Sequence, residues 1–241
     1  MPVPRVLVSA VDPSASRVTL ASDDAHHLAR VLRVRTGDEV RVFDGRGREW
    51  LGRLADLTRG SASVELVREI APAREPAVRI TLAIALLKHD QMDAVVRDAT
   101  MLGAAAIAPM TTDHVTVPGR AWKSGAALDR WHRVAIASAK QCGRATVPEI
   151  HSVRAFADVV RAASTGMLIC LEPSARVDPG DFPETPVDCL LLVGPEGGWS
   201  AVEVSAAIAA GAHPLRLGPR TLRAESVPTV ALSSLWTQWG W

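Results

Sequence analysis

Two apolar runs near the C-terminal end of the chain each break into a rigid Gly-Pro turn. Leu190 to Gly198 reads LLLVGPEGG, and Leu215 to Ser226 reads LRLGPRTLRAES. A continuous apolar run suits a strand buried on both faces of a parallel sheet, because a half-exposed strand would alternate. Two such strands can set their turns side by side at the carboxyl edge of one sheet, where open α/β folds hold ligands. The chain is thereby constrained to an α/β domain whose binding site is shaped by loops and backbone.

At the first turn, Cys189 to Val193 forms the apolar run, and Gly194-Pro195-Glu196-Gly197-Gly198 allows close ligand approach. Ser200 and Glu203 have capping-box spacing, so a helix should follow at once, with Val204, Ala207 and Ile208 on its apolar face and Gly211 as its stop. At the second turn, Leu215 to Leu217 reads as a short strand and Gly218-Pro219 turns it. Arg220, Arg223 and Glu225 follow before a helix that begins near Ser226 or Val227, with Pro228 in its first turn. Alone, each turn is compatible with plain packing, and the Arg/Glu pair with a solvated ion pair. It is their pairing that points to a pocket.

Upstream, the pattern changes character twice. Residues 1 to about 70 alternate short apolar pieces with turn signals: Arg17 to Leu20, Glu39 to Phe43, Trp50 to Leu54 and Ser63 to Val67. This predicts a small β domain, in which Gly45-Arg46-Gly47 is a hairpin loop rather than a dinucleotide fingerprint. Pro72 to Pro76 reads as a linker. From Val78 onward strands and helices alternate: strand 78–87, helix 91–102, strand 105–110, helix 129–141, strand 167–171 and strand 189–193. That alternation predicts a mostly parallel sheet.

Composition excludes several classes. The three cysteines, Cys142, Cys170 and Cys189, have no metal-type spacing and cannot all pair, which favours a reduced cytosolic chain. That spacing gives no metal site to expect; and since no basic segment precedes a long apolar one and no run could span a bilayer, no membrane partner is expected and the localisation expected is cytoplasmic. The His26-His27 pair is expected to pack neutrally at a helix start. A formal charge of +1 argues against binding nucleic acid by bulk charge. Arg30, Arg33, Arg35, Arg41, Arg46 and Arg48 form a local basic stretch, diluted by Asp38, Glu39, Asp44 and Glu49.

The two turn motifs resemble the C-terminal signature of the SPOUT methyltransferases. Within them the match is to the bacterial family that methylates N3 of a uridine in 16S ribosomal RNA, whose GPEGG, LGP and LR-x-E reappear as Gly194 to Gly198, Leu217 to Pro219 and Leu222 to Glu225. Lys88, Gly103, Arg130-Trp131, Gln141-x-Gly143-Arg144 and Pro148 fall in the family's order. His26 to Arg33, Gly37-Asp38 and Phe43 to Gly47 look like its small RNA-binding barrel. Any one motif is weak; the ordered set spans nearly the whole chain.

The resemblance implies a PUA-like β-barrel RNA-binding domain over residues 1–72 and a SPOUT α/β methyltransferase domain with a deep trefoil knot over 77–241. Physical argument alone would predict an open, unknotted sheet. It implies S-adenosylmethionine as cofactor, held by Leu171, Val193, Gly194, Glu196, Gly198, Leu217, Gly218, Pro219 and Leu222, and catalysis by Arg223 and Glu225, the carboxylate orienting the guanidinium or taking the N3 proton through water. Arg30, Arg33, Lys88 and Arg144 are the RNA contacts it suggests, with loop contacts as the alternative for the last two. The partners it implies are 16S ribosomal RNA or the assembled small subunit, and a second copy in a homodimer partly buried by Val230, Leu235, Trp236 and Trp239. Those four residues equally suit an internal core.

The chain departs from the family at Met101-Leu102-Gly103, where Glu-Leu-Gly is usual, and at Thr112-Asp113-His114-Val115, where Thr-Glu-Arg-Ser is usual. Lys140 to Arg144 and Ser226-Val227 also differ. Methylation of another RNA position, such as a ribose 2′-hydroxyl or a transfer RNA, stays open on these grounds, as does a silent RNA-binding homologue. A nucleotide-dependent α/β enzyme is disfavoured by the spacing of both turns.

Overall fold

The computed structural model describes residues 3–9, 11, 12, 14–58, 60–119, 122, 125–163, 166–181 and 185–240. Met1 and Trp241, the outer limits of the two expected domains, lie outside the described residues. The chain divides into two units: residues up to Arg74 with Ala139–Val147, and Glu75–Ser138 with Pro148 onward.

The first unit holds β1 (Arg5–Leu7), β2 (Arg17–Leu20), α1 (Ser22–Arg30), β3 (Glu39–Phe43), β4 (Glu49–Leu57) and β5 (Ala62–Ile70). Its strands form one sheet in the order β1-β3-β4-β5-β2, antiparallel except for the β1/β3 pair. Alternation places Val40, Val42, Leu54 and Val64 on the inner face, where they meet Ala25 and Leu28 of α1. The hairpin expected at Gly45 to Gly47 joins β3 to β4, and its backbone also bonds the returning segment, Val147 N–H to Gly45 O at 2.9 Å. The histidine expectation needs correcting. The helix begins at Ser22, and His26 and His27 lie on its exposed face because Ala25 and Leu28 take the buried one.

The second unit begins with β6 (Arg79–Ala85), α2 (His89–Met101), β7 (Ala106–Thr111) and α3 (Ala126–Cys142), the last four residues of which belong to the first unit. After these come β8 (Glu149–Ile150), β9 (Arg154–Ala155), α4 (Phe156–Ala162), β10 (Met167–Leu171), β11 (Asp188–Val193), α5 (Ala201–Ala209), β12 (His213–Leu215) and α6 (Val227–Trp239). The sheet order is β12-β10-β11-β6-β7-β8, with β9 also beside β7, and every pairing is parallel. Leu82, Ala83, Ile84, Leu191 and Leu192 are fully buried, as continuous apolar runs demand. On one face Phe156, Val159 and Val160 of α4 close over Leu168, Cys170 and Leu192.

One expectation changes. The strand expected at 215–217 ends at Leu215, which is aligned with Leu171, the last residue of β10; Arg216 then turns away, its N–H bonding Val177 O at 3.0 Å and its guanidinium bonding Asp178. Of the four residues of the C-terminal helix expected to help bury a dimer interface or to form an internal core, Leu235 and Trp239 are buried within the chain together with Ala231 and Leu232, where α6 packs on α2, and Trp236 is half-buried. Truncating a buried leucine costs about 2 to 5 kcal/mol, so this face serves the fold itself. Val230 is exposed. Among the described residues no helix is long and apolar enough to cross a membrane.

Candidate active site

The strands β10, β11 and β12 end side by side, and a cavity of about 380 Å³ opens at their carboxyl ends. This is the position where parallel sheets present loop backbone to ligands, and the volume is that of a small-molecule site. Its walls come from three loops: Leu171 to Pro173, Val193 to Trp199, and Leu215 to Glu225, with Gln91 at the start of α2 and Val227 at the start of α6.

The first Gly-Pro loop is held from several sides. The Trp199 indole packs on Phe156 with ring centroids 5.3 Å apart, and its Nε1 donates to Leu171 O at 2.9 Å, joining the ends of β11 and β10. A Cβ on Gly194 would sit 3.0 Å from that indole, so glycine there lets the tryptophan lie against the backbone. The anticipated capping box is present: Ser200 N–H donates to Glu203 Oε2 at 2.9 Å, and Glu203 N–H to Ser200 Oγ at 3.2 Å. Glu203 is buried and also accepts Asp113 N–H at 2.9 Å, while Ser200 Oγ donates to Asp113 at 2.6 Å.

His114, one of the departures from the family pattern, lies against the same loop. Its Nδ1 is 3.2 Å from Gly197 O and 3.0 Å from Gly198 O. Carbonyl oxygens only accept, so this nitrogen carries a proton and donates to both. The segment after β7 thus grips the glycine loop by side chain and backbone.

The second loop is anchored only near its ends. At one end Arg216 makes paired hydrogen bonds of 3.0 Å to Asp178 and holds that carboxyl below its ordinary range. At the other end Glu225 Oε2 accepts from Gln91 Nε2 at 3.2 Å, and the same nitrogen donates to Glu196 Oε1 at 2.9 Å. Arg220 and Arg223, both exposed, line the cavity between these anchors and make no side-chain hydrogen bond or ion pair among the described residues. Of the two roles expected for Glu225, orienting Arg223 or taking a proton through water, the first finds no bond between the two side chains among the described residues; the partner of Glu225 is Gln91, because the start of α2 brings an amide within reach.

Of the residues singled out from sequence, Leu171, Val193, Gly194, Glu196, Gly198, Leu217, Gly218, Leu222, Arg223 and Glu225 all line this one cavity, and Pro219 stands between two that do. Lys88 is exposed and lines a neighbouring cavity of about 220 Å³ with Leu86, Leu87, His114 and Glu196. Arg30 and Arg33 are exposed in the first unit, whereas Arg144 is buried there, which suits the loop contact expected as its alternative role better than an RNA contact. Arg220, read from sequence as a charge beside the second turn, lines the cavity of the Gly-Pro loops as well, whereas sequence reasoning missed Gln91, Glu172 and Trp199. Trp199 carried a signal, an aromatic directly after the glycines; Gln91 carried none.

Among the described residues no cluster of His, Cys, Asp and Glu could hold a metal ion. Burial pushes the Cys170 and Cys189 thiols up to about 12, so they stay protonated and unreactive in the strands behind the cavity.

Residues 74–236 match the RNA methyltransferase domain family and residues 20–67 the RNA methyltransferase PUA domain family. Over 237 residues, 96% of this chain and 76% of the relative, the sequence is 34% identical to the ribosomal RNA small subunit methyltransferase E of Synechocystis. The fold is similar to the crystal structure of the ribosomal RNA small subunit methyltransferase E of Neisseria gonorrhoeae bound to S-adenosyl methionine, with a TM-score of 0.92, 28% identity and 98% of each chain covered. It is equally similar to a methyltransferase of Legionella pneumophila in complex with the bound cofactor SAM, with the same score, identity and coverage. The two-unit architecture, the loop-built cavity and these matches agree: the chain belongs to the ribosomal RNA small subunit methyltransferase E family of RNA methyltransferases.

Proposed function

We propose that this protein binds S-adenosylmethionine in the cavity at the ends of β10, β11 and β12 and methylates N3 of a uridine in 16S ribosomal RNA of the small subunit. The observation that carries the reading is that cavity, built from both Gly-Pro loops in a chain that superimposes over 98% of its length on two relatives solved with this cofactor.

The residues present suit the group. Gly198 and Gly218 have φ of +71° and +78°, values that side chains resist, and nothing lies within 4 Å of where a Cβ would project from either, so ligand can approach the bare backbone. Leu171, Val193, Leu217 and Leu222 offer apolar walls for a planar base, and Glu172, Glu196 and Glu225 place carboxylates around a cation.

When bound, S-adenosylmethionine supplies an electrophilic methyl group; the uracil nitrogen gains it and loses its imide proton. The protein's part is alignment and charge. Arg223, unengaged among the described residues, meets the negative charge that develops on the uracil oxygens. Glu225, held by Gln91, takes the N3 proton through water. Pro219 stiffens the second loop. Arg30, Arg33 and Lys88 contact RNA. The domains run over 1–72 and 77–241, the second carries the family's trefoil knot, and the protein acts in the cytoplasm as a homodimer.

The test is nucleoside mass spectrometry of 16S ribosomal RNA in small subunits from cells lacking this protein, before and after incubation with protein and S-adenosylmethionine. The expected product is 3-methyluridine. A 2′-O-methylated nucleoside, or no new nucleoside, overturns the assignment.

A further inference from the structure

Three hydrogen bonds give the Gln91 amide a single orientation. Oε1 accepts the Lys88 backbone N–H at 3.2 Å, and Nε2 donates to Glu196 Oε1 at 2.9 Å and to Glu225 Oε2 at 3.2 Å. An amide nitrogen has two protons, one for each carboxylate. Reversed, the group would turn its oxygen toward two carboxylates and its NH2 toward a backbone N–H, so all three contacts would become repulsive.

The two carboxylates come from different loops, Glu196 from the one after β11 and Glu225 from the one after β12. Both reach the same nitrogen, and like charges at such separation repel. The amide offers one proton to each carboxylate, in a cavity where Glu172, Glu196 and Glu225 stand beside Arg216, Arg220 and Arg223. The outer side of the first loop is gripped separately by His114 and Asp113, so Gln91 adds what those contacts lack, a direct link from one Gly-Pro loop to the other.

We propose that Gln91 is a positioning residue that holds the two cofactor loops at their working separation by bridging Glu196 and Glu225. This rests on the reading of the cavity as the S-adenosylmethionine site. Gln91 touches none of the reacting atoms in this account; it acts through the two glutamates, and its loss lets the loop rims move apart.

Gln91→Glu separates this role from helix capping. The substitution keeps chain length and an oxygen to accept the Lys88 N–H, and a glutamate in a first helical turn is favourable. It removes both donors and adds a third carboxylate. Calorimetric titration of the full chain with S-adenosylmethionine is expected to show affinity lowered about ten- to a hundredfold, the scale of lost hydrogen bonds to charged groups, with the circular dichroism of the folded chain retained. Gln91→Lys, whose ammonium can donate to both carboxylates, is expected to bind within a few-fold of the wild type. Should the glutamate variant fail to fold, Gln91→Met is compared with Gln91→Lys: both lose the acceptor for the Lys88 N–H, and only the lysine can donate to the carboxylates, so the methionine variant is expected to bind more weakly. Wild-type affinity in the glutamate or methionine variant, or a lysine variant as weak as the glutamate one, overturns the bridge alone. A wild-type chain that does not bind S-adenosylmethionine overturns the reading of the cavity and the bridge with it.

Discussion

The two Gly-Pro loops look alike in sequence and are built differently. The loop after β11 is fastened along its length: Trp199 bonds the end of β10, His114 bonds two of its carbonyls, and the Ser200–Glu203 box fixes its junction with α5. The loop after β12 is fastened near its ends, through Arg216 and Glu225, and leaves Arg220 and Arg223 exposed over the cavity. The difference suits a division of labour. A preorganised backbone holds a small molecule at low entropic cost, while unengaged guanidinium groups can reorient onto a large anionic partner.

Removing the exposed charge of the second loop should have the largest effect. Arg223→Ala is expected to lower the methyl-transfer rate to small subunits by about a hundredfold or more, the scale for losing a group that stabilises developing charge. Cofactor affinity measured by calorimetry should change little. Near-normal turnover would deprive the second loop of its proposed role.

Loosening the first loop should appear first in stability. Glu203→Ala leaves the N–H groups of Ser200 and Asp113 without their acceptor. It is expected to cost about 2 to 3 kcal/mol in denaturant unfolding, since each bond involves a buried charged group. A loss below about 0.5 kcal/mol, typical of neutral surface positions, would mean that the loop is not held as described.

Alkaline pH probes the strands beneath both loops. Cys170 and Cys189 keep their protons up to about 12 in the folded chain, while the unfolded thiols release theirs near the ordinary value. The unfolded state therefore binds fewer protons across that interval, and stability present below about pH 9 is lost as pH rises toward 12. Under reducing conditions, the fall in unfolding midpoint with pH should be shallower in Cys170→Ala than in the wild type; equal slopes would refute the assignment to this thiol.

The smallest effect is expected at Arg216. Its pair with Asp178 is solvent-exposed, so Arg216→Ala should leave the unfolding midpoint within experimental scatter. A clear drop would show that the second loop depends on this anchor more than exposed pairs usually allow.

Much of this was legible before any coordinates. The apolar runs that became β6, β10 and β11, the Ser200–Glu203 cap and the proline-led start of α6 follow from local pattern, because burial on both faces and helix-end satisfaction act over a few residues. Elements with weak periodicity escaped: β1 has three residues, β8 and β9 two each, and α4 seven. Arg216 and Leu217 continue the alternation and so predict two more residues of β12, but the pairing partner β10 stops at Leu171 and the strand ends with it at Leu215.

For the site, sequence alone determined which loops would carry it and which glycines and charges those loops would present, since turn chemistry is encoded residue by residue. Only the tertiary structure decided that Gln91, 105 residues before Glu196, would bridge the loops. It likewise decided that His114 would donate to two carbonyls of the first loop, that Arg144 would be buried, and that Leu235 and Trp239 of the C-terminal stripe would be internal. These outcomes depend on which strand ends and helix starts meet across the sheet. That is a property of parallel packing between distant segments, which no local pattern of side chains specifies.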